Sequence, residues 1–496
     1  MKRIFNFPLL LILIIFLCLS TSLLLDEPMI WPDEAIYGDI SRNILLEGRL
    51  GTDLWKGFVE GTENHYYSLP PFSLYANAVW FKIFGFSIYT QRLFSVFLAS
   101  IFLIIFYVLA QKLISTKKKL YNELLPLGAT LLLTVDSAFL KASRLSRPEI
   151  MVLLLVATAM LLYLRSFEQK SQKSQDKLLF FTGLILGIAT ITHFIAIGFA
   201  IGFALSYIYI QRENILNIKL YYFLAGGFLT PIIVWLISIF PNYQYLIDQL
   251  NLVSSSRNHT IPWYETVMGF STLSKLNYLF YILTSAFFIV FTFKNRKNSY
   301  ILLSSLLITS WGFATLGELY WYTVYAVPFT YLAFFILISH AVGWRTKNVV
   351  SSAARTILVA LSIFIFFSNL FNYFTLFNIY KDTNAYEEFS KQIIENIPAG
   401  KTVYLSSIPD AYYAFGKDRN TLLEFPALFT DMTKFKEFVS KADYMVFNGI
   451  FIPNSQASEY LDKYLAKNGE SVKEFSTPYH LLIFKIKDKQ FREDVN

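Results

Sequence analysis

The stretch FPLLLILIIFLCLSTSLLL, from Phe7 to Leu25, decides the fold because it carries no charged side chain and is long enough to cross a membrane. An α-helix needs about 20 mainly apolar residues to span the ~30 Å hydrocarbon core of a bilayer. Further apolar blocks recur along the chain at Leu93 to Ala110, Ile150 to Leu164, Leu220 to Phe240, Leu276 to Phe293, and Ile357 to Leu370. A soluble core does not use so many uninterrupted apolar stretches. The sequence therefore predicts a polytopic, mainly α protein built as a transmembrane helical bundle.

The composition agrees with a membrane protein. Hydrophobic residues make up 55% of the 496 residues and charged residues 16%, whereas soluble domains have roughly 45–50% and about 25%. Lys2 and Arg3 before the first apolar run would also fit a secretory signal peptide. We interpret the run as an uncleaved first span, because it is long for a signal peptide and many spans follow. The single cysteine, Cys18, lies in this run, which excludes a disulfide framework and a cysteine-rich metal site.

Basic residues in short loops mark the cytoplasmic side of a membrane protein. Lys and Arg cluster at residues 2–3, 112–119, 165–177, 212–219, 294–297 and 345–355. Two spans fit between neighbouring clusters, which predicts about eleven spans in the cell membrane with the N-terminus in the cytoplasm. The extracytoplasmic side then receives the loop 26–71, the turn 136–148, the loop 241–274 and the tail.

The tail from Tyr380 to Asn496 has an ordinary soluble composition. It mixes strand-like runs that begin at Thr402, Tyr444 and Leu481 with a helix-like polar stretch at residues 431–441. We therefore expect two domains, namely a transmembrane domain over residues 1–379 and a small extracytoplasmic α/β domain over residues 380–496.

The first outer loop contains the strongest candidates for catalysis, Asp33 and Glu34. Pro32 suits the first position of a helix, and acids in its first turn complement the helix dipole, which would be a purely structural role. An apolar stripe nevertheless runs along this interfacial helix through Ile36, Tyr37, Ile40 and Ile44. Asp33 lies at the centre of that stripe, whereas Asp39 and Arg42 are predicted to point away. Burial would raise the pKa of Asp33 towards that of a useful general base.

The second outer turn contains two arginines and an acid directly before a long apolar span. Arg144 and Arg147 are well placed to bind a phosphate group at the membrane surface. Glu149 lies in the first turn of the span, where an ionisable residue is costly and usually functional. The alternative is that the arginines only extend to the interface and that the acid only begins a helix.

Four further residues are weaker candidates for substrate binding: His65, His193, Glu318 and Tyr322. His65 would otherwise be an ordinary loop histidine, and His193 a hydrogen-bonded histidine near the outer end of an apolar segment. Glu318 and Tyr322 border an aromatic cluster that is most simply an interfacial belt.

The chain contains no Walker loop, no Gly-x-Gly-x-x-Gly after a strand and no His-Glu-x-x-His. No cytoplasmic segment is large enough for a nucleotide-binding domain, so an enzyme with an outer site would need a donor delivered through the membrane. A lipid-linked substrate meets that requirement. The placement of the basic residues argues against nucleic acid as a partner. No cofactor is certain, and the need for a divalent metal ion stays open.

The order of these pieces resembles the dolichyl-phosphate-mannose protein mannosyltransferase superfamily of C-type glycosyltransferases. That superfamily includes bacterial aminoarabinose transferases and rhizobial lipopolysaccharide glycosyltransferases. The matching pieces, within about residues 1 to 340, are Pro32-Asp33-Glu34-Ala-x-Tyr37, Leu69-Pro70-Pro71, Gln91-Arg92-Leu93, Arg147-Pro148-Glu149, Gly183-x-x-x-Gly187 ahead of Thr192-His193, and Tyr320-Trp321-Tyr322 with Pro328.

The resemblance implies an inverting enzyme of the cell envelope that takes a monosaccharide from a polyprenyl-phosphate donor outside the cytoplasm. The acceptor would be a hydroxyl of a glycan, lipid or protein. Asp33 would be the general base, Glu34 and Glu149 would position acceptor or metal, and Arg147 with Arg144 would hold the leaving phosphate. The chain departs from the common pattern at Ser68-Leu69, Glu149 and His193, where many members have an acidic-basic pair, aspartate and lysine.

Two other functions compete with this interpretation. A transporter or flippase of lipid-linked glycans would need polar or broken helices in the middle of the membrane, whereas the ionisable residues here cluster near outer span ends. An oligosaccharyl transferase or polymerase-type ligase would use an oligosaccharide donor, and its usual large soluble domain is not evident in the sequence.

Overall fold

The structure, a computed structural model, describes most of the chain. The described residues are 7–28, 30–56, 59–214, 221–256, 272–316, 322–343, 349–381, 385–406, 409–415, 420–424, 432–448, 455–475 and 481–487.

Helices form the part of the chain before residue 381. In chain order they are α1 (Phe7–Thr21), α2 (Pro32–Glu47), α3 (Phe72–Phe84), α4 (Ile88–Leu113), α5 (Lys119–Val135), α6 (Ser137–Arg144), α7 (Glu149–Ser166), α8 (Gln172–Thr190), α9 (Ala196–Ile210), α10 (Tyr222–Ile239), α11 (Tyr243–Ser256), α12 (Thr272–Lys294), α13 (Asn298–Leu316), α14 (Val327–Gly343) and α15 (Val349–Tyr380). Short 3-10 turns lie at Arg212–Asn214, Phe240–Asn242 and Thr323–Tyr325.

Several of these helices can cross a membrane. Five of those in the described ranges are long and apolar enough, or six if α5 and α6, which meet at a bend of 61°, form one span. Three shorter apolar helices accompany them, namely α1, α9 and α14. The predicted mainly α membrane bundle is confirmed, while the count of about eleven spans and the orientation of the N-terminus stay predictions.

Close packing of α8 against α10 depends on glycine. A Cβ added at Gly183 would lie 2.0 Å from the carbonyl oxygen of Leu224, and one at Gly227 would lie 2.0 Å from that of Phe180. Small residues allow membrane helices to approach until their backbones touch. The glycine pattern quoted from the sequence therefore serves helix packing.

The predicted outer turn 136–148 is largely helical, because α6 occupies residues 137–144. Asp136 lies at the break between α5 and α6 and caps α6, since its carboxylate accepts hydrogen bonds from the backbone amides of Ala138 and Phe139 at 3.0 Å. The hydroxyls of Tyr281 and Tyr331 also donate to this carboxylate. Part of the predicted loop 241–274 is helical as well, since α11 covers residues 243–256.

The C-terminal part contains a five-stranded sheet in the order β2-β1-β3-β5-β4. Its elements are α16 (Ala385–Asn396), β1 (Thr402–Ser406), α17 (Pro409–Phe415), β2 (Thr421–Glu424), α18 (Met432–Ser440), β3 (Tyr444–Asn448), α19 (Ser455–Asn468), β4 (Gly469–Phe475) and β5 (Leu481–Ile486). Strand β1 pairs parallel with β2 and β3, and β5 pairs antiparallel with β3 and β4. The predicted α/β character is confirmed, and the domain boundary at residue 379 stays a prediction.

The two faces of the sheet pack differently. Val403, Leu405 and Val446 share a hydrophobic core with residues of α2 and of the first outer loop. Tyr404 and Met445 point to the other face and pack under α18 and α19. Successive side chains on a strand point to opposite faces of the sheet. One face of the sheet therefore packs against the first outer loop, which contains Asp33.

Helix α2 is enclosed on almost every side, which corrects the expected orientation of two residues. Asp39 and Arg42 were predicted to point away from the buried face, but their exposed fractions are only 3% and 6%. Asp39 accepts hydrogen bonds from the Thr52 hydroxyl at 2.6 Å and the Tyr412 hydroxyl at 2.9 Å. The period of one helix does not reveal a second packing layer supplied by residues far along the chain.

Candidate active site

Three of the predicted site residues meet where α2 begins. The guanidinium of Arg147 lies 3.5 Å from a carboxylate oxygen of Asp33 and 3.0 Å from one of Glu149. Asp33 comes from the first turn of α2, whereas Arg147 and Glu149 come from the short link between α6 and α7 and the start of α7. The cluster therefore joins the outer loop to a span.

The two carboxylates differ in their access to solvent. The side chain of Glu149 is 5% exposed and that of Arg147 is 8% exposed, but Asp33 keeps 39% of its side chain exposed. Asp33 is thus less buried than the apolar stripe of α2 predicted. Burial tends to lower the pKa of Arg147, but the carboxylates of Glu149 and Asp33 outweigh that effect and raise it, so the guanidinium stays charged.

Aromatic side chains lie beside the cluster of Asp33, Arg147 and Glu149. Tyr37 lies one turn after Asp33 on the same face of α2, and burial first, then the Asp33 carboxylate, raise its pKa well above the ordinary value. The ring of His193 lies 6.0 Å from that of Tyr322, which stacks on Tyr325. Tyr322 and Tyr325 are close enough to Arg147 to interact with it electrostatically, so His193 and Tyr322, both predicted substrate-binding residues, lie near this cluster.

Glu34 points away from Asp33 into a fully buried network. Its two carboxylate oxygens accept hydrogen bonds from Arg92 at 2.7 and 3.0 Å and from the backbone amides of Trp31 and Ser146, both at 2.8 Å. The Glu34 and Arg92 side chains have no exposed surface. Because Ser146 precedes Arg147, this network fixes the start of α2 relative to the link that holds Arg147.

Arg144 is also held in place by the protein itself. Its guanidinium pairs with Glu27 at 3.1 Å and donates to the carbonyl oxygens of Ser22 and Leu23 at 2.5 and 3.0 Å. These contacts tie the end of α6 to the segment after α1. Such an arrangement favours a structural role for Arg144 over phosphate binding.

His65 does not join the cluster and packs against the outer loop and α11. The ring of His65 accepts or donates a hydrogen bond at 3.1 Å with the Tyr67 hydroxyl and stacks on Tyr245 of α11 at 5.3 Å. Gln249 of α11 donates to the His65 carbonyl at 2.6 Å, so His65 helps to seat α11 on the outer loop. Glu318 lies outside the described residues.

A divalent cation held by protein side chains alone would need several carboxylate, histidine or cysteine ligands. Among the described residues, no group of three or more such side chains is arranged to hold one. The two carboxylates that do approach each other, Asp33 and Glu149, have the Arg147 guanidinium between them. The positive charge at this point is supplied by the chain itself.

Sequence reasoning did not single out Tyr37, Tyr325 or Arg92 as site residues. Tyr37 was counted as part of an apolar stripe and of the quoted Pro32-Asp33-Glu34-Ala-x-Tyr37 piece, but not as a site residue, although its spacing of four from Asp33 could have indicated a shared face. Arg92 appeared only in the quoted Gln91-Arg92-Leu93 piece, and a charged residue at the start of a predicted span was its available signal.

Comparison with known proteins supports the same fold. Residues 68–237 match the family described as dolichyl-phosphate-mannose-protein mannosyltransferase. No individually curated protein sequence matches the chain.

Two solved structures resemble the chain over most of its length. ArnT from Cupriavidus metallidurans bound to undecaprenyl phosphate has a TM-score of 0.64 at 12% identity and covers 96% of this chain and 97% of its own. The archaeal oligosaccharyltransferase AglB from Archaeoglobus fulgidus, in complex with an inhibitory peptide and a dolichol-phosphate, has a TM-score of 0.52 at 12% identity. It covers 98% of this chain and 75% of its own.

The family match is confined to residues 68–237, and the similarity to the two solved structures concerns the fold. The protein is an integral, multi-pass membrane protein whose fold is similar to those of ArnT and AglB, in line with the sequence resemblance. Its architecture is similar to that of ArnT along nearly the whole chain.

Proposed function

We propose that the protein is a glycosyltransferase that moves a monosaccharide from a polyprenyl-phosphate donor to a hydroxyl acceptor on the extracytoplasmic face, with inversion at the anomeric carbon. The family match and the lipid phosphates bound in the two similar structures, undecaprenyl phosphate and a dolichol-phosphate, support a lipid-phosphate donor. The sugar and the kind of acceptor, whether glycan, lipid or protein, are left to experiment.

The observation that carries this proposal is the exposure of Asp33. It is the one carboxylate of its cluster with substantial access to solvent, at 39% of its side chain, because Glu34 and Glu149 are buried. A general base must reach the proton that it abstracts. Asp33 would accept the proton of the acceptor hydroxyl while the acceptor oxygen attacks the anomeric carbon.

Arg147 would stabilise the leaving group in the same step. As the bond between the anomeric carbon and the phosphate oxygen breaks, its electron pair stays on that oxygen, and the departing polyprenyl phosphate gains negative charge. A guanidinium offers parallel donors to phosphate oxygens and remains charged. Glu149, at 3.0 Å from Arg147 Nε, would orient the guanidinium for this contact. Preorganised charge of this kind usually contributes most of the catalytic effect.

One observation favours the alternative, a transporter or flippase of lipid-linked glycans. The break between α5 and α6 carries a buried acid, Asp136, and transporters use broken helices to bind their substrates. Asp136, however, is occupied by the amide groups that it caps and by the Tyr281 and Tyr331 hydroxyls. The transferase proposal therefore accounts for the polar residues better.

The decisive experiment compares the wild type, Asp33→Asn and Asp53→Asn in proteoliposomes supplied with a panel of labelled polyprenyl-phosphate sugars and candidate acceptors. Asp53 is the matched control, since it is a 47% exposed acid of the same loop that pairs with Arg49 at 2.6 Å. We expect the wild type and Asp53→Asn to release polyprenyl phosphate from one donor and label an acceptor, and Asp33→Asn to do neither. Movement of intact donor across the bilayer without its cleavage would instead support the transporter.

A further inference from the structure

The C-terminal part of the chain makes a hydrogen bond to the backbone of α2, the helix that carries Asp33, at the Glu34 carbonyl. The Tyr413 hydroxyl, from α17, lies 2.6 Å from the carbonyl oxygen of Glu34 and 2.6 Å from Oε1 of Gln91. The Gln91 amide donates to the same Glu34 carbonyl at 2.9 Å. The Glu34 carbonyl, directly after Asp33 in the chain, is therefore held from two directions. Gln91 of α4 contacts it from one side, and Tyr413, almost 380 positions further along the chain, contacts it from the other.

This contact requires a glycine one turn further along α2. A Cβ added at Gly38 would lie 2.5 Å from the Tyr413 hydroxyl oxygen and 2.7 Å from Gln91 Oε1. Glycine is otherwise a poor residue for a helix interior, and the backbone of Gly38 is ordinary helix. The absence of a side chain at residue 38 therefore serves the close approach of Tyr413.

The neighbouring tyrosine extends the contact to the next turn of α2. The Tyr412 hydroxyl donates to Asp39 at 2.9 Å and accepts from Arg42 at 3.3 Å. The ring of Tyr413 stacks on that of Phe86 with the ring centroids 5.8 Å apart, and the Arg42 guanidinium lies 5.2 Å from the centroid of the same Phe86 ring. Adjacent residues of α17 thus bind two successive turns of α2.

We propose that α17 of the C-terminal domain positions α2 for catalysis, with Tyr413 as the principal positioning residue. The proposal rests on the proposed transferase function. Among the described residues, the Asp33 carboxylate is held by a long, 3.5 Å ion pair to Arg147, so its location depends strongly on the backbone of α2. Misplacement of a reacting group by about 1 Å can cost roughly 100-fold in rate.

The test uses the full-length protein in proteoliposomes and two readouts. Tyr413→Phe removes only the hydroxyl, and we expect kcat to fall about three- to tenfold, the effect of one hydrogen bond, with KM for the donor nearly unchanged. We also expect faster hydrogen exchange of the α2 amides. Tyr404→Phe is the matched control, because it removes a buried hydroxyl from the same domain on the sheet face turned away from α2.

Gly38→Ala tests the contact from the other side. Its methyl group would press on the Tyr413 hydroxyl, so kcat should fall more than in Tyr413→Phe. In the double variant, the fall in kcat should be smaller than the product of the two single falls, because phenylalanine lacks the crowded oxygen. Wild-type kcat and wild-type α2 exchange in Tyr413→Phe would overturn the positioning role. If the wild type turned over no donor, the proposed function would fail, while α2 exchange would still decide whether α17 holds α2.

Discussion

The buried pair of Glu34 and Arg92 offers the sharpest prediction about stability. Replacing Glu34 by glutamine keeps the size of the side chain but turns one oxygen into a hydrogen-bond donor. Each carboxylate oxygen accepts one contact from Arg92 and one from a backbone amide, Ser146 or Trp31. Either orientation of the new amide therefore loses two buried hydrogen bonds and leaves Arg92 without its counter-charge.

The expected loss follows from those contacts. A buried hydrogen bond left unmade costs about 1–3 kcal/mol, and breaking a buried ion pair by removing one partner costs about 3–5 kcal/mol. We expect Glu34→Gln to lower the free energy of unfolding by about 3–5 kcal/mol. Equilibrium unfolding in mixed micelles with a denaturing detergent, followed by tryptophan fluorescence, would measure it.

A surface pair provides the control. Glu168 pairs with Lys112 at 2.5 Å but its side chain is 59% exposed, so Glu168→Gln should cost less than about 1 kcal/mol. The double variant Glu34→Gln/Arg92→Gln should lose less than the sum of its single variants, because each removes the same pair. If Glu34→Gln unfolded like the wild type yet turned over no donor, Glu34 would act in the chemistry, as the sequence predicted.

Three further predictions concern other contacts. Arg147→Lys should lower kcat/KM by roughly 10- to 100-fold in steady-state assays, because an ammonium cannot offer the parallel donors of a guanidinium to phosphate; an unchanged kcat/KM would remove Arg147 from the site. Burial raises the pKa of Asp39 above its ordinary 3.8, so the folded state favours the neutral acid. The wild type should therefore lose stability relative to Asp39→Asn as the pH rises from 3.8 through the raised pKa of the folded state. Melting curves at several pH values would show this loss, and a stability difference that did not change with pH would contradict it. Gly227→Ala should strongly reduce the yield of folded protein on size exclusion, whereas Gly226→Ala, which meets nothing within 4 Å, should not; equal yields would mean that α8 and α10 separate without cost.

The sequence predicted those features that depend on local pattern. Apolar length identified spans such as α4 and α7, and short runs rich in β-branched, aromatic and other apolar residues identified β1, β3 and β5 with starts at Thr402, Tyr444 and Leu481. Both signals act within one element, so no knowledge of its neighbours is needed.

The sequence failed where a side chain is explained by a distant partner. The helical period assigned Asp39 to the polar face of α2. Its partner, the Tyr412 hydroxyl, lies more than 370 residues further along the chain and leaves no signal in that period. Glu34 was grouped with Asp33 by adjacency, yet neighbouring positions on a helix differ by about 100° and face different surroundings. The burial of Glu34 against Arg92 follows only from how α2 packs on α4.

The measurement that tests the central claim most directly separates binding from chemistry in Asp33→Asn. Donor binding would be measured by equilibrium titration, and the single chemical turnover by rapid quench with donor and acceptor in saturating supply. A general base contributes typically about 10²- to 10⁴-fold. We predict a fall of that size in the single-turnover rate with donor Kd unchanged within about threefold, because in the proposed mechanism Asp33 would accept the acceptor proton and Arg147 would bind the phosphate. A single-turnover rate within tenfold of the wild type, or loss of donor binding in this variant, would contradict the assignment of Asp33 as the base.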